Sequence, residues 1–276
     1  MKTVAFKSGE QVPALGQGTW HFGEGKRDRA EEIAALRTGL DLGMGLIDTA
    51  EMYGEGAAEE VVGEAIKGRR EQVFLVSKVY PHHASRREMP KACAGSLKRL
   101  QIETLDLYLL HWRGTIPLRE TVDAFDDLLA AGKILRWGVS NFDVDDMEDL
   151  GANVSDCGTD QVLYNPEARG IEFDLLPWCQ KHEMPLMAYS PIGQGGGLLK
   201  NKAIVEVAKR HEATPAQIAL AWVLRQTGVI AIPKAGDVEH VRENAAAADI
   251  ALTAEDLATI DAAFPPPTKK EGLRVI

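Results

Sequence analysis

Residues 72–80 read QVFLVSKVY, a run that is apolar at consecutive positions until Lys78 interrupts it near its end. A strand with one wet face alternates polar and apolar residues. One covered on both sides is apolar throughout, so this segment reads as a parallel strand between helices and a packed interior. Seven further runs share the character: ALGQGTW at 14–20, MGLIDTA at 44–50, LDLYLLHW at 105–112, ILRWGVSNF at 134–142, TDQVLYN at 159–165, PLMAYSP at 185–191 and GVIAIPK at 228–234. Segments of helical period stand between them. Ile33, Leu36 and Leu40 follow an Asp28–Glu31 capping box, and Val122, Phe125 and Leu129 are closed by Gly132. A Ser85–Glu88 box opens a helix carrying Leu97 and Leu100, and Thr214 with Pro215 starts AQIALAWVLRQ.

Strand centres fall about 25 to 33 residues apart until the last interval, which is longer and holds two helical patterns behind a glycine-rich loop. Eight strand-helix units predict an α/β fold, a (β/α)8 TIM barrel. The first 13 residues, with a turn-like SGEQ at 8–11, read as an N-terminal hairpin capping the barrel bottom. A doubly wound sheet is the rival architecture, but no G-x-G-x-x-G follows the first strand, because Gly16-Gln-Gly18-Thr-Trp ends in His21. No linker interrupts the pattern, so residues 1–276 are expected to form a single domain with a short C-terminal tail, FPPPTKKEGLRVI.

The chain carries 31 Lys and Arg against 41 Asp and Glu, a formal net charge of -10, which argues against a nucleic-acid partner. No run approaches the ~20 apolar residues of a membrane span, and MKTVAFKSGEQVP lacks a signal-peptide core, so a cytoplasmic location is expected. Cys93, Cys157 and Cys179 lie far apart and suggest reduced, buried thiols rather than disulfides or zinc. His82 and His83 are adjacent, a poor geometry for one ion, and no metal is expected.

In such a barrel, catalysis belongs to the carboxyl ends of the strands. The second strand ends in Asp48, followed five residues on by Tyr53; the third ends in Lys78; the fourth ends in His111 beside Trp112. Singly, each has a plainer role: a helix cap, a lysine reaching solvent, a structural histidine, a surface phenol. Together, buried titratable groups on three consecutive strand ends cost several kcal/mol apiece unless they pair, which places them in one pocket.

With L-I-D-T-A-x-x-Y-G at 46–54, L-L-H-W at 109–112, G-V-S-N-F at 138–142 and I-P-K at 232–234, the chain resembles the aldo-keto reductase superfamily over roughly residues 10 to 265, with the motifs in the family's order. The resemblance implies reduction of a carbonyl by a nicotinamide, with a catalytic tetrad of Asp48, Tyr53, Lys78 and His111. Hydride addition builds charge on oxygen, so a proton donor and a nearby cation are required, and Tyr53 fits the donor. An ammonium about 4 Å from the phenol contributes up to ~4 kcal/mol at an effective dielectric of 20. Desolvation opposes it, so a phenol of intermediate acidity is expected, serving as acid in reduction and base in oxidation. Asp48 would keep Lys78 charged and aimed, and His111 would orient the carbonyl oxygen.

The resemblance further implies a cofactor groove. Gly18 and Thr19 lie at its start, Ser140, Asn141 and Gln161 hold the carboxamide, and Tyr189 stacks on the ring. Ser190, Gly193 and Gly195 let backbone approach the pyrophosphate, while Lys234, His240, Glu243 and Asn244 hold the adenosine half. A helix cap for Ser140 and Asn141, and a plain surface loop for 193–197, are the alternatives. Two positions depart from the family pattern: Ala235 replaces a serine and His240 an arginine. A histidine lacks the bidentate fork of a guanidinium, so NADPH preference with measurable NADH use is expected. Trp20, Met52, Tyr80 and Trp112 are candidates to wall the carbonyl site, and the short tail implies an open pocket for small aldehydes or ketoaldehydes. A nicotinamide-binding redox sensor with little turnover is the alternative function; loss of NADPH absorbance with aldehydes separates the two.

Overall fold

The chain opens on a hairpin, β1 (Thr3–Ala5) paired antiparallel with β2 (Gln11–Pro13), its turn eased by Gly9 at φ 87°. In the computed structural model, which describes residues 1–276, the eight apolar runs then form one parallel sheet in sequential order. Its strands are β3 (Gln17–Gly18), β4 (Leu46–Asp48), β5 (Phe74–Val79), β6 (Leu107–Leu110), β7 (Trp137–Ser140), β8 (Cys157–Leu163), β9 (Leu186–Tyr189) and β10 (Val229–Ala231). The two outer strands meet. Leu15 bridges Ala231 and Gly18 bridges Lys234, both parallel, and the Gly18 amide donates to the Pro233 carbonyl at 3.0 Å. The sheet is therefore a closed (β/α)8 barrel.

That closure explains the glycines that the dinucleotide fingerprint does not. A Cβ on Gly16 would lie 2.7 Å from Leu46 Cδ2, and one on Gly18 would lie 2.8 Å from the Ile232 carbonyl oxygen. Only bare backbone lets the first strand approach both neighbours so closely. At the barrel bottom, Phe6 of the hairpin turn stacks on Phe74 at the start of β5, with ring centroids 5.1 Å apart.

The helices that cover the barrel are α1 (Arg29–Asp41), α2 (Ala57–Ala65), α3 (Met89–Leu100), α4 (Leu118–Ala130), α5 (Val144–Glu148), α6 (Leu175–Lys181), α7 (Lys202–Arg210), α8 (Pro215–Leu224), α9 (Val238–Ala246) and α10 (Ala254–Ala263). The long last interval holds α7 and α8, as its two periodic patterns predict. Their apolar faces join the strands' outer faces in one core; on α4, for example, Phe125 stacks on Trp137 of β7 at 5.3 Å, a pairing that adds about 1 kcal/mol beyond burial.

Two expected capping boxes do not form. Asp28 caps α1 through the Ala30 amide alone, one position short of the reciprocal geometry. Ser85 instead caps a turn that precedes α3, accepting from the Glu88 amide at 3.2 Å, while Glu88 pairs with Arg87 and Lys91. The box at Thr214 is complete: Gln217 answers it, with Pro215 in the first turn. All three cysteines are free and buried.

Candidate active site

β4 delivers Asp48 to the barrel rim, and the chain then turns tightly, the Tyr53 amide donating to the Ala50 carbonyl at 3.1 Å, before Gly56 at φ 94° launches α2. On β5, side chains alternate. Ser77 faces outward to Glu59 of α2 and Lys78 faces inward to Asp48. Lys78 is fully buried, and its ammonium donates to both Asp48 carboxylate oxygens at 2.8 Å, to the Thr49 carbonyl at 3.0 Å and to the Tyr53 hydroxyl at 3.2 Å. A second anchor holds the carboxylate, since the Gln161 amide donates to Asp48 Oδ1 at 2.7 Å. Thr19 Oγ1 donates to the Asp48 carbonyl at 2.9 Å, tying β3 to the same point.

Tyr53 and His111 stand edge to face with ring centroids 5.8 Å apart. Burial, and secondarily the Lys78 charge, push the imidazole down to about 2, so the ring is neutral at physiological pH. Its Nδ1 is buried without a partner. The phenol departs from the intermediate acidity the sequence predicts: burial first, then the Asp48 charge, hold Tyr53 well above its ordinary range. The reason is geometric. The fully buried phenol loses the water that would solvate its anion, and the Asp48 carboxylate opposes the ammonium beside it. Tyr53 therefore stays protonated at neutral pH, poised as an acid.

Beyond the tetrad, the strand ends interlock. Ser140 Oγ donates to the Gln161 carbonyl at 2.7 Å, Asn141 Nδ2 to the His111 carbonyl at 3.1 Å, and the Tyr189 hydroxyl to Asn141 Oδ1 at 2.8 Å. Asn141 at φ 60° and Ser190 at φ 46° adopt left-handed backbone to reach these positions. One cleft of about 840 Å³ takes in most of the expected residues: Asp48, Tyr53, His111, Gly18 and Thr19, then Ser140, Asn141, Gln161, Tyr189, Ser190 and Gly195, and finally Lys234, His240, Glu243 and Asn244. Trp20, Met52 and Trp112 border it as well. Lys78, fully buried, does not line the cleft but meets it through Asp48 and Tyr53, which do.

Two further expected residues do not line it. Tyr80 is turned away because its amide donates to Glu51 Oε1 at 2.7 Å; its ring packs edge-on behind Trp112 at 6.0 Å. Gly193 is spent on a turn, its amide donating to the Ser190 carbonyl at 3.0 Å, and the amides of Gly195 and Gly196 are likewise committed. The sequence reading also missed the start of α8, where Thr214, Pro215 and Ala216 border the cleft; the capping box marks that helix end but not what faces it. The tail, short as it is, returns to the mouth. Lys270 reaches Asp145 at 3.2 Å and Ile276 borders the cleft.

A closed parallel barrel with these groups at its rim, beside a cleft of about 840 Å³, defines a barrel oxidoreductase. The chain belongs to the aldo/keto reductase family, whose family model matches residues 14–264. It is 52% identical to methylglyoxal reductase YeaE of Escherichia coli (strain K12), covering 100% of this chain and 99% of that protein. It is 36% identical to glyoxal reductase of Bacillus subtilis (strain 168), covering 94% and 92%. Among solved structures, an aldo/keto reductase of Klebsiella pneumoniae in complex with NADP and acetate superposes with a TM-score of 0.97 at 54% identity, covering 100% of this chain and 99% of that one. No helix is long and apolar enough to cross a membrane.

Proposed function

We propose that the chain is an NADPH-dependent reductase of small aldehydes and ketoaldehydes, with Tyr53 as general acid. The observation that carries this reading is a protonated phenol 3.2 Å from a buried ammonium at the edge of the cleft. NADPH supplies the hydride when bound. Tyr53 delivers its proton to the carbonyl oxygen as charge builds there, and Lys78 then stabilises the phenolate left behind. Asp48 holds the ammonium in place and offsets its burial. Neutral His111 donates a hydrogen bond that fixes the carbonyl oxygen against Tyr53, while Trp20, Met52 and Trp112 exclude water around a small substrate.

The cleft suits the cofactor. Ser140, Asn141 and Gln161 present amide and hydroxyl groups at one height of the barrel for a carboxamide, and Tyr189, pinned by Asn141, offers a flat face to the ring. Ser190 and Gly195 lie along the path of the pyrophosphate, with Lys234, His240, Glu243 and Asn244 at the adenosine end. A substrate of the ketoaldehyde class is supported by the relatives that reduce methylglyoxal and glyoxal. The test mixes the protein with NADPH and a panel of methylglyoxal, glyoxal and larger aldehydes, following absorbance loss. Turnover highest on the small ketoaldehydes is expected; tight NADPH binding without turnover on any of them overturns the reading in favour of a sensor.

A further inference from the structure

The family's arginine for the adenosine end is His240 here, yet the region is not short of guanidinium. Arg27 belongs to the loop between β3 and α1, on the opposite side of the barrel seam from Lys234, and it folds across to meet it. A Cβ on Gly236 would lie 2.8 Å from Arg27 Cδ, 3.1 Å from its Nε and 3.4 Å from Lys234 Nζ. Glycine's bare backbone is thus the floor on which two cations rest side by side. Arg27 Nη2 is held at 3.0 Å by Asp237, which also holds His240 Nδ1 at 2.7 Å. The guanidinium has five N–H groups, so its remaining edge stays free for a second partner.

Lys234 has no carboxylate within 4.0 Å and no side-chain hydrogen bond; its ammonium sits over the Phe22 ring at 5.5 Å. Burial, followed by the repulsion of Arg27, draws it below its ordinary range. Lys26 adds a further positive charge nearby, partly answered by Glu24 at 3.0 Å; Glu32 and Asp237 are the acids that face Lys234. In a chain of net charge -10, Lys234 lines the end of the cleft and Arg27, just outside that lining, is held against it, so the pair stores repulsion that a dianion relieves.

We propose that Arg27 is the guanidinium that selects the 2'-phosphate of NADPH, gripping it together with Lys234 in the place His240 leaves vacant. The inference rests on the cofactor reading above and revises one expectation from the sequence, a weakened grip that leaves NADPH preferred but NADH measurably used. A planar fork with an ammonium beside it recognises a phosphate oxygen pair, which the 2'-hydroxyl of NADH does not offer.

The test is equilibrium binding of NADPH, NADH and 2',5'-ADP to the full chain, read by tryptophan fluorescence or calorimetry, in the wild type, Arg27→Gln and Arg27→Lys. In Arg27→Gln the ratio of the NADH to the NADPH dissociation constant is expected to fall roughly tenfold or more, with 2',5'-ADP weakened in step. Arg27→Lys, which can keep the Asp237 pair, is expected to fall between. A ratio within about twofold of the wild type in both variants overturns the proposal and leaves Arg27 as a tie between its loop and α9. A wild type that binds neither nucleotide sinks the cofactor reading itself, a result distinct from an unchanged ratio.

Discussion

Replacing Tyr53 by phenylalanine removes one oxygen, and the surroundings of that oxygen predict two effects of very different size. Lys78 has three N–H donors and four acceptors within reach, of which the phenol, at 3.2 Å, is the longest. Without it the ammonium keeps both Asp48 oxygens and the Thr49 carbonyl, so no buried donor is stranded. The stability cost should therefore sit near the bottom of the range for a hydrogen bond to a charged group, about 1.5 kcal/mol, moving the midpoint of thermal unfolding by only a few degrees. Catalysis has no such reserve, because neutral His111 is a poor acid and the ammonium is committed to Asp48. Turnover on methylglyoxal should fall by about 10² to 10⁴, the worth of a positioned general acid, or roughly 3 to 5 kcal/mol of barrier. Steady-state absorbance assays, NADPH titration and a thermal melt on the same preparation separate the two. Near-normal turnover, or lost turnover accompanied by loss of NADPH binding and a collapsed melt, would refute the assignment.

Asp48→Asn leaves a fully buried ammonium without its counter-charge and should destabilise the fold by about 3 to 5 kcal/mol, measured by urea unfolding; a loss under about 1 kcal/mol contradicts the pairing. Glu59→Ala strips buried partners from Ser77 and Arg99, each at 2.6 Å, and should cost about 3 kcal/mol, with α2 and β5 losing amide-exchange protection together. For His111 the folded value, near 2, lies below the unfolded one, so the unfolded chain takes up the proton first and stability drains away as pH falls below about 6.5. The same depression means that kcat for reduction shows no limb from this ring between about pH 6 and 8; an inflection there that His111→Asn abolishes would contradict it.

Much of this was legible in the sequence because polar residues inside apolar runs have few innocent explanations. Asp48, Lys78 and His111 interrupt strands that are otherwise buried on both faces, and desolvation alone forces them together. Barrel closure followed from the count and spacing of the runs. Residues just past a strand end were less predictable, since loop backbone decides where they point: Tyr80, two positions beyond Lys78, is swung outward by its amide bond to Glu51, and Gly193 is consumed by a turn. The acidity of Tyr53 differs from the expectation because a two-body estimate counts the lysine and overlooks both the full burial of the phenol and the charge of Asp48, which push the other way. Arg27 gave no signal at all, lying in a basic stretch that reads as solvated loop until the far end of the chain is laid beside it.

That last juxtaposition has a consequence for how the molecule assembles. Every other pair of neighbouring strands is joined by one local crossover, but β3 meets β10 only after nearly the entire chain has been laid down, so the entropic toll of ring closure falls on a single join. The bridge from Gly18 to Lys234 is part of that join and also borders the cleft. A molecule gripping both sides would act as a clasp, and the first and last thirds of the polypeptide should resist proteolysis in concert when it is bound and loosen in concert when it leaves.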